Sequence, residues 1–306
     1  MSLPLISSPL NYTDGKYKLL PQILPLFPKN IDTFIDLFCG GCNVGLNVKA
    51  KKIIYNDNNI KLCNLYNFLK NIDTDKALKG IYQIISDYNL TLVSKYGYEY
   101  YNCDSKKGVG NYNRQGFLKL RNDFNTKYKI EQNWLMFYVM IVYAFNNQIR
   151  FNSKGEYNLP VGKGDFNAKM EKKIIKFIER IKLQNSIFLC KYFRTFDIDN
   201  LNYNDFVYID PPYLITCATY NENGGWTNDD EKCLLNFIDN LNNKGIKFAF
   251  SNVLNSKGKS NEILKDWLKN RNYFTYHLDF NYANSNYQKK NKIASSYEVL
   301  IVNYKD

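Results

Sequence analysis

The alternation of short apolar runs with helical patterns is the feature that most constrains the fold of this chain. Apolar runs bounded by polar turns predict buried strands at 33–38, 52–55, 187–190, 206–209, 246–250 and 299–304. Helical periodicity fills several intervals between them, at 43–48, 58–69, 170–181, 229–241 and 262–268. Strands that alternate with helices favour a mainly parallel sheet covered on both faces. The predicted fold class is therefore a doubly wound α/β fold.

The stretch 71–147 interrupts this alternation. It contains helical patterns at 76–88, 116–124 and 133–145, but no apolar run typical of a central strand. We therefore predict a helical lobe at 61–169, inserted into a core formed by 1–60 and 170–306. At the end of the lobe, 150–164 carries glycine, asparagine and alternating apolar residues, which predicts a hairpin or an exposed loop. The 306 residues, 45% of them hydrophobic, suffice for one large core domain and a smaller one.

The charge balance points to an acidic partner. Lys and Arg number 41 against 29 Asp and Glu, a formal net charge of +12. A basic surface attracts polyanions, so nucleic acid is the first partner to consider. The alternative, a biased composition with evenly spread charge, stays open. We expect no membrane span, because the sequence has no apolar run near 18 residues.

The cysteines favour thiols over a metal site. Seven cysteines and an N-terminus unlike a signal peptide indicate a reducing, cytoplasmic location. Cys39 and Cys42 form a C-x-x-C pair, which raises the possibility of zinc or redox chemistry. However, no second pair lies at a suitable spacing, and the single histidine, His277, is far away in the sequence. We therefore expect no metal, and no Ser-His or Cys-His hydrolase.

The strongest local motif is Asp210-Pro211-Pro212-Tyr213, which follows the strand predicted at 206–209. It would lie at the carboxyl edge of the sheet, where α/β folds bind ligands. The side chain of Asp210 and the carbonyl of Pro211 can both accept hydrogen bonds from an aromatic amine, and would stabilise the positive charge that develops as the amine is alkylated. The prolines hold the turn rigid, and Tyr213 offers a ring on which a flipped-out base can stack. A rigid strand-ending turn is the alternative.

A ligand-binding turn precedes this motif in the sequence. The strand predicted at 33–38 contains Asp36 and Phe38 and runs into a turn that contains Gly40, where the backbone can approach a ligand closely. The next strand leads to Asp57, roughly 20 residues later, and such an acid can accept hydrogen bonds from ribose hydroxyls. These features alone would also fit a dinucleotide-binding enzyme, although the G-x-G-x-x-G spacing is absent.

In this order of motifs, the chain resembles the Dam-type family of DNA adenine-N6 methyltransferases, the D12 class or alpha group, over nearly its whole length. The segment Tyr12-Thr13-Asp14-Gly15-Lys16 is similar to the family's aromatic-x-Gly-Gly-Lys segment. The resemblance implies a Rossmann-like methyltransferase core, S-adenosylmethionine as the methyl donor, S-adenosylhomocysteine as the product, and no metal. The donor contacts that it implies are Tyr12, Thr13, Gly15, Lys16, Asp36, Phe38, Gly40, Asp57, Asn58, Phe193 and Asp210.

Two residues within the matching segments differ from the family pattern. Asp14 and Cys42 stand where the family has glycine. We expect Gly41 to compensate for Cys42 in the turn.

The segment 145–162 resembles the DNA-reading hairpin of the family. Arg150 matches an arginine that reads a guanine in relatives, as bidentate guanidinium geometry allows. Gln148 differs from the apolar residue common in enzymes that act on GATC, so this site is not assumed. Phe145 is either a wedge between base steps or a core residue. The predicted DNA contacts are Phe145, Asn146, Gln148, Arg150, Asn152, Asn158, Pro160, Lys163, Asn286 and Lys289.

The resemblance implies site-specific methyl transfer to N6 of a flipped-out adenine in duplex DNA, in restriction-modification or another bacterial or phage methylation role. The core 1–60 and 170–306 would then be catalytic, and 61–169 would recognise DNA. We expect a monomer in the cytoplasm; a cognate restriction endonuclease as a partner is left open. Two alternatives also remain, a methyltransferase acting on RNA adenine or a protein amide, and an inactive DNA-binding relative.

Overall fold

The computed structural model describes residues 4–10, 15–126, 133–216, 225–279 and 297–305. The chain forms two compact units. One, here the helical unit, consists of Met1–Gly15 and Asn59–Gln184, and the other, the sheet unit, consists of Lys16–Asn58 and Asn185–Asp306. The helical unit is wider than the lobe predicted at 61–169, because Pro9 and the helix Ala168–Leu183 also contact its helices. The division into catalytic and DNA-recognition parts stays a prediction.

The sheet unit is built on one mixed, mainly parallel sheet, which confirms the predicted α/β class. Its strands are β1 (Thr33–Asp36), β2 (Lys52–Asp57), β3 (Ser186–Cys190), β4 (Phe206–Ile209), β5 (Lys247–Ser256), β6 (Lys259–Ser260), β7 (Phe274–Leu278) and β8 (Tyr297–Val302). They lie in the order β3-β2-β1-β4-β5-β8-β7, and β6 pairs with β5.

The direction of the strands divides the sheet in two. The pairs β3-β2, β2-β1, β1-β4 and β4-β5 are parallel, with Ile35 opposite both Ile54 and Val207. Strand β8 runs antiparallel to both of its neighbours, β5 and β7. The order reverses at β1 and β4, so their carboxyl ends flank the crevice in which such sheets bind ligands.

Alternating side chains of the central strands build a core on each face of the sheet. On one face, Ile35, Val207 and Ile209 are fully buried in the cluster that includes the apolar sides of α8 (Asn228–Asn243) and α9 (Glu262–Lys269). On the other face, the rings of Phe34, Phe206 and Tyr208 surround Phe27, which follows α1 (Leu20–Ile23). Because these strands are buried on both faces, their sequences are mainly apolar and do not alternate with polar residues.

The helical unit contains α2 to α7 of the described chain. They are α2 (Ile60–Asn71), α3 (Thr74–Asp87), α4 (Val93–Tyr96), α5 (Gly110–Thr126), α6 (Trp134–Tyr143) and α7 (Ala168–Leu183). Helix α6 is buried from Leu135 to Tyr143 and packs against α2, α3 and α5. Asn59, Asp73, Asn133 and Asn167 accept backbone N–H groups at the first turns of four of these helices, as N-caps do.

One helix prediction was wrong, and another placed the end of its helix two residues too late. The segment 43–48 forms only a single 3₁₀ turn at Gly45–Asn47, because Gly45 lies against the ring of Tyr55 and its N–H is held by Asp36. The helix predicted at 133–145 ends at Tyr143. Asn146 and Asn147 then adopt left-handed backbone angles, with φ of 53° for both, a conformation in which an α-helix cannot continue.

Strands β6 and β7 were not predicted from the sequence. Most of β7 is exposed, from Phe274 to His277, and it lies at the edge of the sheet. An exposed edge strand has no buried apolar face, and therefore lacks the pattern that identified the central strands. Within the described parts of the chain, no helix is both long and apolar enough to cross a membrane.

Candidate functional site

The loop that follows β1 is held by two carboxylates. The N–H of Gly45 donates to Asp36 at 3.1 Å, and the N–H of Gly40 donates to Asp57, at the end of β2, at 3.0 Å. Asp36 is buried and Asp57 is partly exposed. Burial raises the pKa of Asp36 to about 8; the hydrogen bond from Gly45 opposes this shift, and the charges of Asp210 and Asp57 add to it. The predicted donor residues Asp36, Gly40 and Asp57 therefore lie together around the loop that follows β1.

The turn in this loop depends on Cys42, and our expectation about Gly41 was wrong. Cys42 has a φ of 60° and Gly40 a φ of 45°, whereas Gly41 is not among the described residues with positive φ. Cys42 thus adopts the left-handed conformation itself, in the place where the family has glycine. Its side chain is fully buried, and its N–H donates to the carbonyl of Cys39 at 2.6 Å. Packing and this hydrogen bond offset the backbone cost, about 1 to 2 kcal/mol for an L-residue.

Asn56 connects the ends of three strands. Its side-chain amide donates to the carbonyls of Leu37 and Lys191, each at 2.9 Å, and its carbonyl oxygen accepts the N–H of Lys191. The backbone carbonyl of Asn56 accepts the N–H of Cys39 at 2.8 Å. The neighbouring Asn58, a predicted donor contact, is exposed. The carboxyl edge of β1, β2 and β3 is therefore rigid where the predicted donor residues lie.

Three aromatic rings form a wall beside this edge. Phe38 and Phe193, both predicted donor contacts, have ring centroids 5.7 Å apart, and Trp226 lies 5.9 Å from Phe38 and 5.5 Å from Phe193. Phe193 is buried, whereas Phe38 and Trp226 are half-buried. The indole N–H of Trp226 donates to Glu231 at 2.6 Å. Trp226 was not among the predicted donor contacts.

Asp210 lies directly after β4 and takes part in a buried polar cluster. The Nζ of Lys16 is 3.1 Å from Asp210 and 3.0 Å from Glu298. The hydroxyl of Tyr213 lies 2.9 Å from Asp210 and 3.1 Å from Glu298, close enough to donate to either carboxylate. The ammonium also lies 4.8 Å from the centroid of the Tyr213 ring. The structure thus joins Lys16, Asp210 and Tyr213, which are far apart in the sequence, and adds Glu298.

Burial governs the protonation of this cluster. It raises the pKa of Asp210, an effect that Lys16 opposes and Glu298 reinforces. Burial lowers the pKa of Lys16, but the charges of Asp210 and Glu298 outweigh it, so that the pKa is raised and Lys16 stays an ammonium at neutral pH. Burial and the same two carboxylates raise the pKa of Tyr213, which keeps its hydroxyl protonated and able to donate.

The rest of the predicted catalytic loop is rigid and unevenly exposed. Pro211 is buried and Pro212 is exposed. The side chain of Tyr213 is 8% exposed, so most of its ring is covered by protein. Its observed contacts are with Asp210, Glu298 and Lys16, and stacking of a base on the ring stays a prediction.

In the helical unit, 144–162 folds back on itself as a hairpin-like loop. Its ends are joined by hydrogen bonds from Phe145 N–H to Pro160 and from Gly162 N–H to Tyr143, and isolated bridges pair Ala144 with Val161 and Phe151 with Tyr157. The buried Tyr157 donates its hydroxyl to the carbonyl of Gln148 at 2.7 Å. Helix α5 supports the outgoing strand through Asn125, which accepts from and donates to the backbone of Tyr157.

The predicted DNA contacts of this loop fall into two groups. Phe145, Asn146, Arg150, Pro160 and Lys163 are exposed. Gln148, Asn152 and Asn158 are half-buried and shape the loop. Asn158 accepts from Arg150 Nε at 2.7 Å, and Asn152 closes the turn by accepting from the backbones of Lys154 and Glu156. Phe145 is 46% exposed, which excludes its role as an ordinary core residue within this unit.

Four predicted contacts lie outside the described residues: Tyr12, Thr13, Asn286 and Lys289. Gly15 is described and half-buried, directly before Lys16. Among the parts of the chain that the structure describes, no group of three or more His, Cys, Asp or Glu side chains could hold a metal. Burial raises the pKa of Cys39 well above its usual value, so this cysteine is a thiol.

The sequence did not identify Glu298 as a residue of the site, and it did not predict the contacts of Trp226. Glu298 had a signal, since it is an acid within the apolar run of β8, which is typical of a buried charge with a partner. Trp226, which follows Gly224-Gly225, was predicted only as part of a loop near the target base, and its contacts with Phe38 and Phe193 depend on the fold.

The strand order, with an antiparallel strand between β5 and β7, and the polar cluster after β4 define a Rossmann-like methyltransferase fold. Residues 12–284 match the family model described as D12 class N6 adenine-specific DNA methyltransferase. The chain belongs to this family.

Curated relatives agree with this assignment. The chain is 42% identical over 305 residues to the modification methylase StsI of Streptococcus sanguinis, and 41% identical over 305 residues to the type II methyltransferase M.FokI of Planomicrobium okeanokoites. These alignments cover 98% of the chain but 43% of each relative, so the chain spans less than half the length of either. A DNA adenine methylase of Serratia marcescens is 27% identical over 263 residues, which cover 84% of the chain and 85% of that relative.

Proposed function

We propose that this chain transfers a methyl group from S-adenosylmethionine to N6 of a flipped-out adenine within a specific sequence of duplex DNA. The observation that carries the proposal is the cluster of Lys16, Asp210, Tyr213 and Glu298 at the carboxyl end of β4. It presents a half-buried carboxylate, that of Asp210, oriented by two donors in the place where an α/β sheet binds its ligands.

The carboxyl edge of the sheet suits S-adenosylmethionine. This donor supplies an electrophilic methyl group on a positively charged sulfonium. Asp57, Asp210 and Glu298 outnumber the ammonium of Lys16, which contacts the last two, so the local field of these groups favours a cation. Asp57 is partly exposed, and its carboxylate can accept hydrogen bonds from ribose hydroxyls.

Aromatic side chains complete this donor site in the proposal. The rings of Phe38, Phe193 and Trp226 offer an apolar wall for an adenine ring. Gly15 and Lys16, with Tyr12 and Thr13, would contact the methionine moiety, and Asn58 would lie beside the donor's adenine.

Asp210 acts on the acceptor amine. Its carboxylate accepts a hydrogen bond from the N6 amino group, and the carbonyl of Pro211 accepts a second, which stabilises the charge that develops on nitrogen as it gains a methyl group. The methylated nitrogen then releases one of its protons to solvent and becomes neutral. Pro211 and Pro212 restrict the backbone, so these acceptors need little reorganisation. Tyr213 orients Asp210 through its hydroxyl and can offer the exposed part of its ring to the flipped base.

The hairpin-like loop of the helical unit is the proposed DNA-reading element. Its exposed residues include the guanidinium of Arg150, which Asn158 orients, and the ring of Phe145, which fits a wedge between base steps. Lys163 and Pro160 are exposed on the same loop and would contact the backbone or the bases, whereas Gln148 would set part of the sequence that is read. A restriction-modification role, and a cognate endonuclease, follow from the names of the relatives and belong to this proposal.

The proposal is tested by expressing the chain in a bacterial host that lacks adenine methylation and by reading its DNA with single-molecule sequencing. A reproducible motif carrying N6-methyladenine, absent with Asp210→Ala, is the expected result. Purified protein is then offered labelled donor with duplex DNA, RNA and an amide-containing peptide in competition. Methylation of RNA or peptide without methylation of DNA would favour the alternative substrates, and donor binding without any transfer would favour an inactive relative.

A further inference from the structure

Glu298 is a buried charge on an apolar strand. It lies on β8, where Val299, Leu300 and Ile301 are fully buried, and is itself 1% exposed. In the register of the sheet, it lies opposite Val253 of β5 and Leu278 of β7, so its neighbours across the strands are apolar. Because burial of an unpaired carboxylate costs several kcal/mol, Glu298 depends on its polar partners in the cluster.

These partners include the two groups that also contact Asp210. Lys16 Nζ lies 3.0 Å from Glu298 and 3.1 Å from Asp210. The Tyr213 hydroxyl lies 3.1 Å from Glu298 and 2.9 Å from Asp210. Two donors are therefore shared between two carboxylates.

If this ion pair only stabilised the fold, one carboxylate would be enough to pair with the one ammonium of Lys16. Here the ammonium of Lys16 contacts both carboxylates, and these three groups together carry a net charge of −1 when both acids are ionised. If Glu298 carried no charge, the ammonium would be attracted to Asp210 alone. An acceptor that is fully neutralised by an ion pair offers less electron density to a third group.

We propose that Glu298 is a positioning residue of the methyl-transfer site, which holds the Lys16 ammonium and the Tyr213 hydroxyl so that they orient Asp210 without fully neutralising it. The inference rests on the proposed function, because it assigns a task to Asp210. Glu298 acts through Lys16 and Tyr213 and does not itself touch the substrate.

The pH dependence of the reaction provides a readout that a structural role would not change. The groups that act on Asp210 are Lys16, Glu298 and Tyr213, and Asp36 and Tyr208 are also coupled to it electrostatically. Burial raises the pKa of Asp210, Lys16 lowers it, and Glu298 raises it. Removal of the Glu298 charge should therefore lower the pKa of Asp210, so that Asp210 stays ionised to lower pH but is a weaker acceptor.

The variant Glu298→Gln removes the charge and keeps an oxygen that can accept from Tyr213. With duplex DNA and donor, we expect its kcat to fall about tenfold, which corresponds to about 1.4 kcal/mol, while KM for DNA stays within about twofold because phosphate contacts dominate DNA affinity. The acidic limb of kcat should move to lower pH. Glu298→Asp retains the charge and should keep the wild-type acidic limb, and Glu262→Gln, at an exposed acid of α9, should match the wild type in every readout.

Carboxyl ¹³C NMR titration tests the same inference without turnover. The resonance of Asp210 is identified by its loss in Asp210→Asn, and its pKa should be lower in Glu298→Gln than in the wild type. An unchanged pKa of Asp210, or Glu298→Gln with wild-type kcat and acidic limb, would overturn the inference. A fall in melting temperature with an unchanged acidic limb and pKa would show that Glu298 is only structural, and would also overturn it. Absence of methyl transfer by the wild type would instead reject the proposed function, and the titration would still decide the role of Glu298.

Discussion

The indole N–H of Trp226 donates a hydrogen bond of 2.6 Å to the buried carboxylate of Glu231, at the start of α8. Glu231 also accepts from the amides of Asn252, on β5, at 3.1 Å, and of Asn261, the N-cap of α9, at 2.8 Å. One carboxylate therefore fixes a ring of the proposed donor site to three elements of the sheet unit.

Glu231→Gln should weaken both the fold and donor binding. The amide of glutamine has only one acceptor oxygen, so at least one of the three donors loses its partner, at a cost of about 1 to 3 kcal/mol for a buried group. The Trp226 ring would be less fixed against Phe193. Chemical denaturation measures the free energy of unfolding, and calorimetric titration measures donor affinity. Glu262→Gln serves as the exposed control, and equal effects of the two substitutions would contradict the role of Glu231.

Asp210→Ala should abolish methyl transfer and leave DNA affinity nearly unchanged. Lys16 keeps Glu298 as its counter-ion in this variant, so the buried ammonium remains paired and the fold should persist. DNA affinity is set mainly by phosphate contacts. Filter-binding and turnover assays on the same preparation separate the two effects. Turnover near that of the wild type would remove Asp210 from the mechanism.

The sequence predicted the centre of the sheet unit because its strands are buried on both faces. The runs at 33–38, 52–55 and 206–209 are mainly apolar, and by the geometry of a parallel sheet the carboxylates in them or just after them lie at one edge. Asp36, Asp57 and Asp210 could therefore be placed before the structure. The turn at Cys42 could not, because the residue has an unfavourable left-handed conformation that only its burial and its hydrogen bond explain.

The contacts of Glu298 and Trp226 could not be predicted without knowledge of the fold. Lys16, Asp210 and Glu298 meet only because β8 lies beside β5, and an antiparallel neighbour cannot be deduced from the apolar pattern of β8 alone. The edge strand β7 was also missed from the sequence, because Phe274 to His277 are exposed and give no pattern of a buried face.

Arg150→Ala should relax discrimination at one base pair of the recognition sequence. A bidentate guanidinium contact contributes about 1 to 3 kcal/mol to the preference for the correct base. Asn158→Ala should have a smaller effect in the same direction, because it removes the side chain that accepts from Arg150 Nε. Methylation rates on a panel of single-base variants measure the preference. Lys154→Ala, at the exposed turn of the same loop, is the control, and a uniform loss over all sequences would make Arg150 a phosphate contact.

The free energy of unfolding should fall as pH rises from about 4 to about 8, because Asp36 loses its proton less readily in the folded chain than in the unfolded one. Burial raises its pKa in the folded chain to about 8, from a usual value of 3.8. A raised folded-state pKa means that the folded state binds the proton more tightly, so this contribution is complete below the unfolded pKa and is lost as pH rises through the folded pKa. Asp36→Asn keeps an oxygen that accepts the N–H of Gly45 and cannot ionise. The decline in the free energy of unfolding between pH 4 and 8 should therefore be smaller in Asp36→Asn than in the wild type, measured by urea denaturation across this range. If both proteins show the same slope, Asp36 is ionised in the folded chain at neutral pH, and the loop after β1 carries one more negative charge toward its ligand.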